Sequence, residues 1–321
     1  ISFIFTLLVQ FYLFSKGQHV VRLIIKFSAF FVYFGLVIFL IMITEHYDEV
    51  LNSLKITLNF NDFFSKSNIP PLITVIGTMF AFYSIIILNF GDFSRYVKNK
   101  NQLIKGNLTL IINFILISFF SIFIVIGSDI ILAKNNIAVE NILTNPNDII
   151  GKLNNTYLTV IVLIFVVVAT ASTNLIANYV PSQNSLINFL PSKLSLKSSG
   201  LIVLILSFII GSFWLTLLSQ IGVLSIIDTV GSFFGPIFGI IVADIFLIKK
   251  NNLDGKDFFN SKQNSAYFYS NGWQLKSLYA LFIGFIFAAS TIWNVNLNFL
   301  QSFSWIIGGS ISLIIYYLLS D

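Results

Sequence analysis

Between Ala169 and Asn178 a run otherwise rich in Val, Ile and Phe carries small, hydroxylated and amide side chains, in the order Ala-Thr-Ala-Ser-Thr-Asn-Leu-Ile-Ala-Asn. Residues 169, 172 and 173 are spaced i, i+3 and i+4, so on a helix they share one face. The hydroxyls of Ser172 and Thr173, with nearby backbone carbonyls, can offer neutral oxygen ligands to a small hard cation. Asn178, one to two turns further on, holds both a donor and an acceptor for a heterocyclic amide. The same composition also serves helix packing, because small residues let helices approach and Ser, Thr and Asn hydrogen-bond across interfaces. The residues alone leave both readings open.

A second group lies at Met79-Phe80-Ala81-Phe82-Tyr83, followed by Asn89-Phe90-Gly91-Asp92-Phe93-Ser94-Arg95-Tyr96. Aromatic faces at mid-depth in a membrane can stack on a flat ring, and Tyr83 adds a hydroxyl. Aromatic residues make up 16% of the chain, so core packing competes with that role. Asp92 and Arg95, three apart, are expected to form an ion pair where a helix ends. A carboxylate at the bilayer centre costs about 2.5–3.5 kcal/mol on insertion scales, so every intramembrane acid is a functional candidate. Asp228 is the one acid several residues inside an apolar run, close enough to its end to reach water; Asp129 and Asp244 sit near the ends of theirs, where water or Lys249 and Lys250 can meet them.

Other chemistry has little support. The chain has no Cys, which removes disulfides and thiolate metal sites. His19 and His46 stand at or beyond the ends of apolar runs, where a lone histidine is ordinarily solvated. No Walker loop, dinucleotide fingerprint, HExxH or nucleophile elbow is present, which argues against an ATP-driven pump or a membrane enzyme. No bound cofactor is expected beyond a coupling ion.

The elements that must position these residues follow from composition. The chain has 321 residues, of which 56% are hydrophobic and 10% charged, with a mean hydropathy of +0.89; most of it belongs in lipid. About 20 apolar residues cross the roughly 30 Å of hydrocarbon as a helix, and period-two alternation of the barrel kind is absent. Apolar runs predict nine spans, at 1–15, 20–44, 72–91, 107–133, 156–180, 200–218, 222–248, 276–293 and 298–319. The first is short and reads as a helix cut at its start rather than a signal peptide, since no basic region precedes it. The runs at 107–133 and 222–248 are long enough to need tilting or a break, and the second contains Gly231, Gly235, Pro236 and Gly239, which suggests a discontinuous helix. The stretches 45–70 and 134–155 are polar and Asn-rich and read as surface connections, with Pro70-Pro71 closing the first.

Of the 18 Lys and Arg residues, all but Lys55, Lys66, Lys134 and Lys152 fall on one side of the alternating spans. The positive-inside rule makes that side cytoplasmic, which puts Asp321 inside. This bias accounts for the formal charge of +5, so no nucleic-acid partner is implied. The expectation is a multi-pass protein of the cell (inner) membrane.

Three segments, Asn89 to Tyr96 (NFGDFSRY), Ala169 to Asn178 (ATASTNLIAN) with the following Asn184 and Pro191 region, and Gly235 to Lys250 (GPIFGIIVADIFLIKK), together resemble the nucleobase:cation symporter-1 family. Leu253-Asp254 and Gly272-Trp273 fit as well. The resemblance implies an all-α integral membrane protein with the five-plus-five inverted repeat of LeuT-like transporters, two extra helices, and alternating access around a midplane site. The nine spans then correspond to the family's fourth to twelfth helices, in one transmembrane domain over 1–321 that lacks about three N-terminal helices and their share of the site.

Residue by residue, the resemblance assigns a cation-binding carbonyl to Ala169, cation-binding hydroxyls to Ser172 and Thr173, and a substrate-binding amide to Asn178. Tyr83 falls where the family pattern has a stacking tryptophan and Phe82 where it has a glycine, so both are substrate-contact candidates. What this implies is cation-coupled symport of a nucleobase-like heterocycle such as cytosine, uracil, a purine, allantoin or a hydantoin. Na⁺ is the expected coupling ion and H⁺ the alternative, with Asp228 the acid that would serve a proton. A carrier of the same fold for an amino acid or a vitamin such as thiamine, and a truncated membrane protein that transports nothing, are the alternatives.

Overall fold

A computed structural model describes residues 2–16, 18–43, 46–57, 65–95, 97–135, 156–214, 223–253 and 262–320, with the single positions 152, 220, 255, 257 and 260. These residues are almost entirely helical. In chain order the helices are α1 Ser2–Ser15, α2 Gln18–Ile43, α3 Tyr47–Thr57, α4 Ile69–Leu88, α5 Phe90–Ser94 and α6 Lys100–Lys134. There follow α7 Thr156–Asn174, a π turn Leu175–Tyr179, α8 Val180–Phe189, α9 Leu196–Phe213 and α10 Val223–Val242. A second π turn Ala243–Ile248, α11 Leu275–Trp293, a 3₁₀ segment Val295–Phe303 and α12 Ser304–Ser320 complete the chain. Seven helical stretches among the described residues are long and apolar enough to cross a bilayer, and α1 and α2 coincide with the first two expected spans. The protein is a multi-pass, all-α integral membrane protein.

Several local choices follow directly from the sequence. Pro70 and Pro71 occupy the first turn of α4, where a missing N–H costs nothing, so they start the helix. Asn99 caps α6 by accepting a hydrogen bond from the Gln102 N–H at 2.9 Å. α6 runs unbroken for 35 residues, about 52 Å at 1.5 Å per residue, so it tilts or projects beyond the hydrocarbon.

Two expectations need correction. The run at 222–248 is not broken at its glycines: α10 passes through Pro236 and ends in the π turn. Its glycines instead admit neighbouring backbones. The stretch after residue 45 is also more than a surface connection, because it forms α3, with Asp48 and Glu49 in the first turn and Lys55 in the last, as the helix dipole favours. Val50 and Leu54, four apart, bury the inner face of α3 against Ile124 of α6 and Val162 of α7. On its outer face Lys134 donates to Glu49 Oε1 at 2.6 Å, holding that carboxyl below its ordinary pKa. Residues 136–151 of the other polar stretch lie outside the described residues.

The chain folds as two compact units. One comprises residues 1–63 and 91–211, the other 64–90 and 212–321. In the first, Leu175, Tyr179 and Val203 form a buried cluster with Phe11, Ile24 and Leu186 against it. Tyr179 donates its hydroxyl to the Gly200 carbonyl at 2.8 Å, which ties the π turn to α9.

The second unit is built on small residues. Gly231, Gly235 and Gly239 recur every four positions along α10. A Cβ added at Gly235 would lie 2.3 Å from the Trp305 carbonyl oxygen, and one at Gly239 2.0 Å from that of Gly309. α10 and α12 therefore pack backbone to backbone, as small-xxx-small motifs allow. α4 buries a small face of Gly77, Thr78, Ala81 and Ser84; Ala81 lies against Gly231 of α10, and Gly77 against the Ser302 backbone of the 3₁₀ segment. At one end of this unit Asp244 accepts hydrogen bonds from Lys249 Nζ at 2.6 Å and from the Tyr316 hydroxyl at 2.8 Å.

Candidate functional site

The polar segment of α7 runs straight into the π turn, and the cause is one residue away. Pro181 has no N–H, and in an α-helix its ring would collide with the carbonyl four residues back. The chain widens by one residue before it: the Val180 N–H bonds the Leu175 carbonyl, five residues earlier, and Pro181 then sits in the first turn of α8, where it fits. Asn178 stands on this widened turn and is exposed on the surface of its unit.

Upstream, Ser172 donates its Oγ–H to the Ala169 carbonyl at 2.9 Å, so two of the three expected cation-ligand oxygens are adjacent. Ser172 is buried, whereas Thr173 is exposed on the neighbouring side of the helix. Ser172 lines an open cavity of about 480 Å³ formed by residues of α1, α2, α7 and Leu175 of the π turn. Its walls are apolar except for Gln10, Ser28 and Ser172. Ser28, only 3% exposed, leaves its Oγ without a partner there. Among the described residues no cluster of three or more His, Cys, Asp or Glu could hold a metal, and the polar side chains lining this cavity are neutral.

Asn178 is anchored. Its Nδ2 donates to Asn174 Oδ1 at 2.7 Å, and Asn174 Nδ2 donates to Gln10 Oε1 on α1 at 3.0 Å. Reading residue types and spacing within α7 placed Asn178 but passed over Gln10, whose partner is 164 positions away. Its signal was present, since Gln10 is the one amide among residues 2–14.

Downstream of Asn178, Asn184 of α8 donates its Nδ2 to Asp92 of α5 at 3.0 Å, and Asp92 pairs with Arg95 as expected. Asp92 is 7% exposed, and the Arg95 side chain 46%. Removing the acid strands two donors at once, whereas removing the arginine leaves Asn184 in place. Asp92→Ala is therefore expected to cost about 1.5–3 kcal/mol, the range for hydrogen bonds to charged groups. Arg95→Met should cost less. Thermal unfolding of the two variants in detergent checks the order, and a larger loss in Arg95→Met would refute it.

Tyr83 and Phe82 belong to the other unit. Tyr83 is half-buried, Phe82 is exposed, and their rings meet edge to face with centroids 5.1 Å apart. Both flank the small-residue face by which α4 packs. In the same unit Asp228 is buried and accepts a hydrogen bond from Gln301 Nε2 at 2.9 Å, so it is partnered rather than open to water. Tyr96, and the side chain of His19, fall outside the described residues.

Comparison with known proteins decides the family. The sequence model for permeases for cytosine/purines, uracil, thiamine and allantoin matches residues 1–308. The chain belongs to this permease family. Among relatives, an allantoin permease of Bacillus subtilis (strain 168) is 27% identical over 257 residues, covering 80% of this chain and 50% of the relative. A purine-uracil permease, NCS1, of Arabidopsis thaliana is 26% identical over 206 residues, 64% of this chain and 33% of the relative. A putative allantoin permease of Escherichia coli (strain K12) is 22% identical over 248 residues, 77% of this chain and 49% of the relative. The permease chain thus spans half or less of the length of these curated relatives. No solved structure matches it.

Proposed function

We propose that this permease sequence carries the cation-ligand and amide-reading helix of a cation-coupled symporter for small planar N-heterocycles, working by alternating access. The observation that carries the reading is the order of groups along one helix: paired oxygens at Ala169 and Ser172, the Thr173 hydroxyl, then Asn178 on a π turn. Thr173 and Asn178 are five residues apart, about 7 Å of helical rise, so an ion and a substrate would lie close without sharing ligands. Names of relatives, allantoin permease and purine-uracil permease, support cyclic amides and imides as the cargo class.

Each residue then has a role. A Na⁺ ion would take the Ala169 carbonyl and the Ser172 and Thr173 hydroxyls once Ser172 turns its proton away from Ala169; the remaining ligands of a six-coordinate shell come from elsewhere in the transporter. Asn178 reads the amide edge of the ring. Tyr83 and Phe82, in the other unit, are the ring-contact candidates that the family resemblance alone supports. The distribution of Lys and Arg supports an inner-membrane orientation with Asp321 on the cytoplasmic side.

Asn178→Ala removes the only contact that distinguishes an amide edge from an apolar one in this scheme. The expected result is a KM for allantoin or uracil uptake raised about tenfold or more, in line with the 1–3 kcal/mol cost of an unpaired polar group. Radiolabelled uptake by cells expressing the full-length gene product measures it. An Asn178→Ala protein as active as wild type on the whole heterocycle panel, with competition by amino acids or thiamine instead, would replace this substrate class with one of the alternatives.

A further inference from the structure

We infer that Gln10, through Asn174, is a positioning residue that sets the hydrogen-bond polarity of Asn178 and so the kind of ring edge the permease accepts; this rests on the reading of Asn178 as the substrate contact. Three carboxamides run in series from α1 across to the π turn. Gln10 is 4% exposed, and its Oε1 accepts from Asn174 Nδ2 at 3.0 Å. With that N–H engaged, the Asn174 amide has one way to face along the helix: its Oδ1 points to Asn178 and accepts from Asn178 Nδ2 at 2.7 Å.

The amide of an unrestrained asparagine can turn over, exchanging its oxygen and nitrogen. Here the turned-over state would set Asn178 Oδ1 against Asn174 Oδ1, two acceptors facing each other with no proton between them. The series thus couples the three amides, so the way Gln10 faces decides which end of Asn178 is left over. What remains is the Oδ1 acceptor and the second Nδ2 hydrogen. That pair is complementary to a ring N–H next to a ring C=O, the edge of a lactam or imide. The discrimination is set before any substrate arrives, so no binding energy is used to orient the amide.

Nothing in α7 alone could do this, because an i, i+4 pair of asparagines can bond in either direction. Gln10 supplies the direction from a second helix. A side chain with an acceptor at the same reach should serve equally. Gln10→Glu keeps a carboxyl oxygen whether or not it is protonated, whereas Gln10→Leu keeps the volume and removes the acceptor.

The test is concentration-dependent uptake of radiolabelled allantoin and uracil by cells expressing the full-length protein as wild type, Gln10→Leu, Gln10→Glu and Asn178→Ala, with surface amount measured for each. Gln10→Leu is expected to raise KM about fivefold, the size of one net hydrogen bond, with Vmax per surface molecule within about twofold. Gln10→Glu should return KM to within about twofold of wild type by the same accounting. Competition should also relax: the preference for uracil over 1,3-dimethyluracil, which offers no N–H, should narrow in Gln10→Leu. A wild-type KM in Gln10→Leu beside a raised one in Asn178→Ala overturns the inference and leaves the site reading standing. Equal defects in the Leu and Glu variants, or a defect confined to surface amount or Vmax, also overturn it by showing a structural role. A normal KM in Asn178→Ala, or no uptake of either compound by wild type, overturns the underlying site reading.

Discussion

Gly239→Leu is expected to abolish accumulation of folded protein, to about one-tenth of wild type or less, because overpacking here displaces backbone rather than a side chain. A Cβ at Gly239 would sit 2.0 Å from the Gly309 carbonyl oxygen, and at Gly235 2.3 Å from that of Trp305. Neither oxygen can move without the helix that bears it. In lipid there is no hydrophobic gain to offset a wider gap, since the tails are as apolar as leucine, so α10 and α12 lose the packing that associates them. Gly106→Leu is the control, because a Cβ there meets nothing within 4 Å. Size-exclusion profiles of detergent-solubilised protein distinguish the two. A monodisperse Gly239→Leu protein at wild-type yield would refute the backbone contact.

The second large effect concerns the ion. The double variant Ser172→Ala, Thr173→Ala is expected to raise the Na⁺ concentration for half-maximal uptake by at least about a hundredfold, since two hydrogen-bonding ligands to a charge are worth about 1.5–3 kcal/mol each. Ser172→Ala alone should give the larger share, because its Oγ already lies 2.9 Å from the Ala169 oxygen and Thr173 is exposed. Vesicle uptake with Na⁺ and pH gradients imposed separately is the measurement. Uptake that ignores Na⁺, follows an inward proton gradient and is lost in Asp228→Asn would replace the ion with a proton. Asp228 has the burial such a role requires, and Gln301 as its hydrogen-bond partner.

The fold was legible wherever a single physical rule acted over a long window. Burial in lipid demands apolar runs of fixed length, so every expected span overlaps a helix, although α6 begins at Lys100 and the helix through Asn178 continues to Phe189. Pro70 and Pro71 marked a helix start because a missing N–H is harmless there. α3 escaped because its two buried residues, Val50 and Leu54, are diluted by nine others in a short amphipathic helix. The glycines of α10 were visible but misread: glycine weakens a helix in water, and the same residue lets another backbone approach in lipid. At the candidate site, the i, i+3 spacing anticipated that Ser172 and Ala169 are neighbours on one helix. Gln10 stood out as the one amide among residues 2–14, but its pairing with Asn174 was out of reach, because a contact between residues 164 apart depends on which helices pack.

The π turn at Leu175–Tyr179 makes this stretch sensitive to its length. Such a turn is an α-helix holding one surplus residue, and everything beyond it is rotated by about 100° relative to an uninterrupted helix. Gln183 and Asn184 depend on that rotation to reach the Leu196 carbonyl and the Asp92 carboxylate. A one-residue deletion between Asn178 and Asn184 would straighten the helix and swing both amides to the wrong side. Substitutions in this stretch change one contact at a time, whereas a gap changes all of them. The geometry therefore constrains the spacing here more tightly than the identity of any one residue.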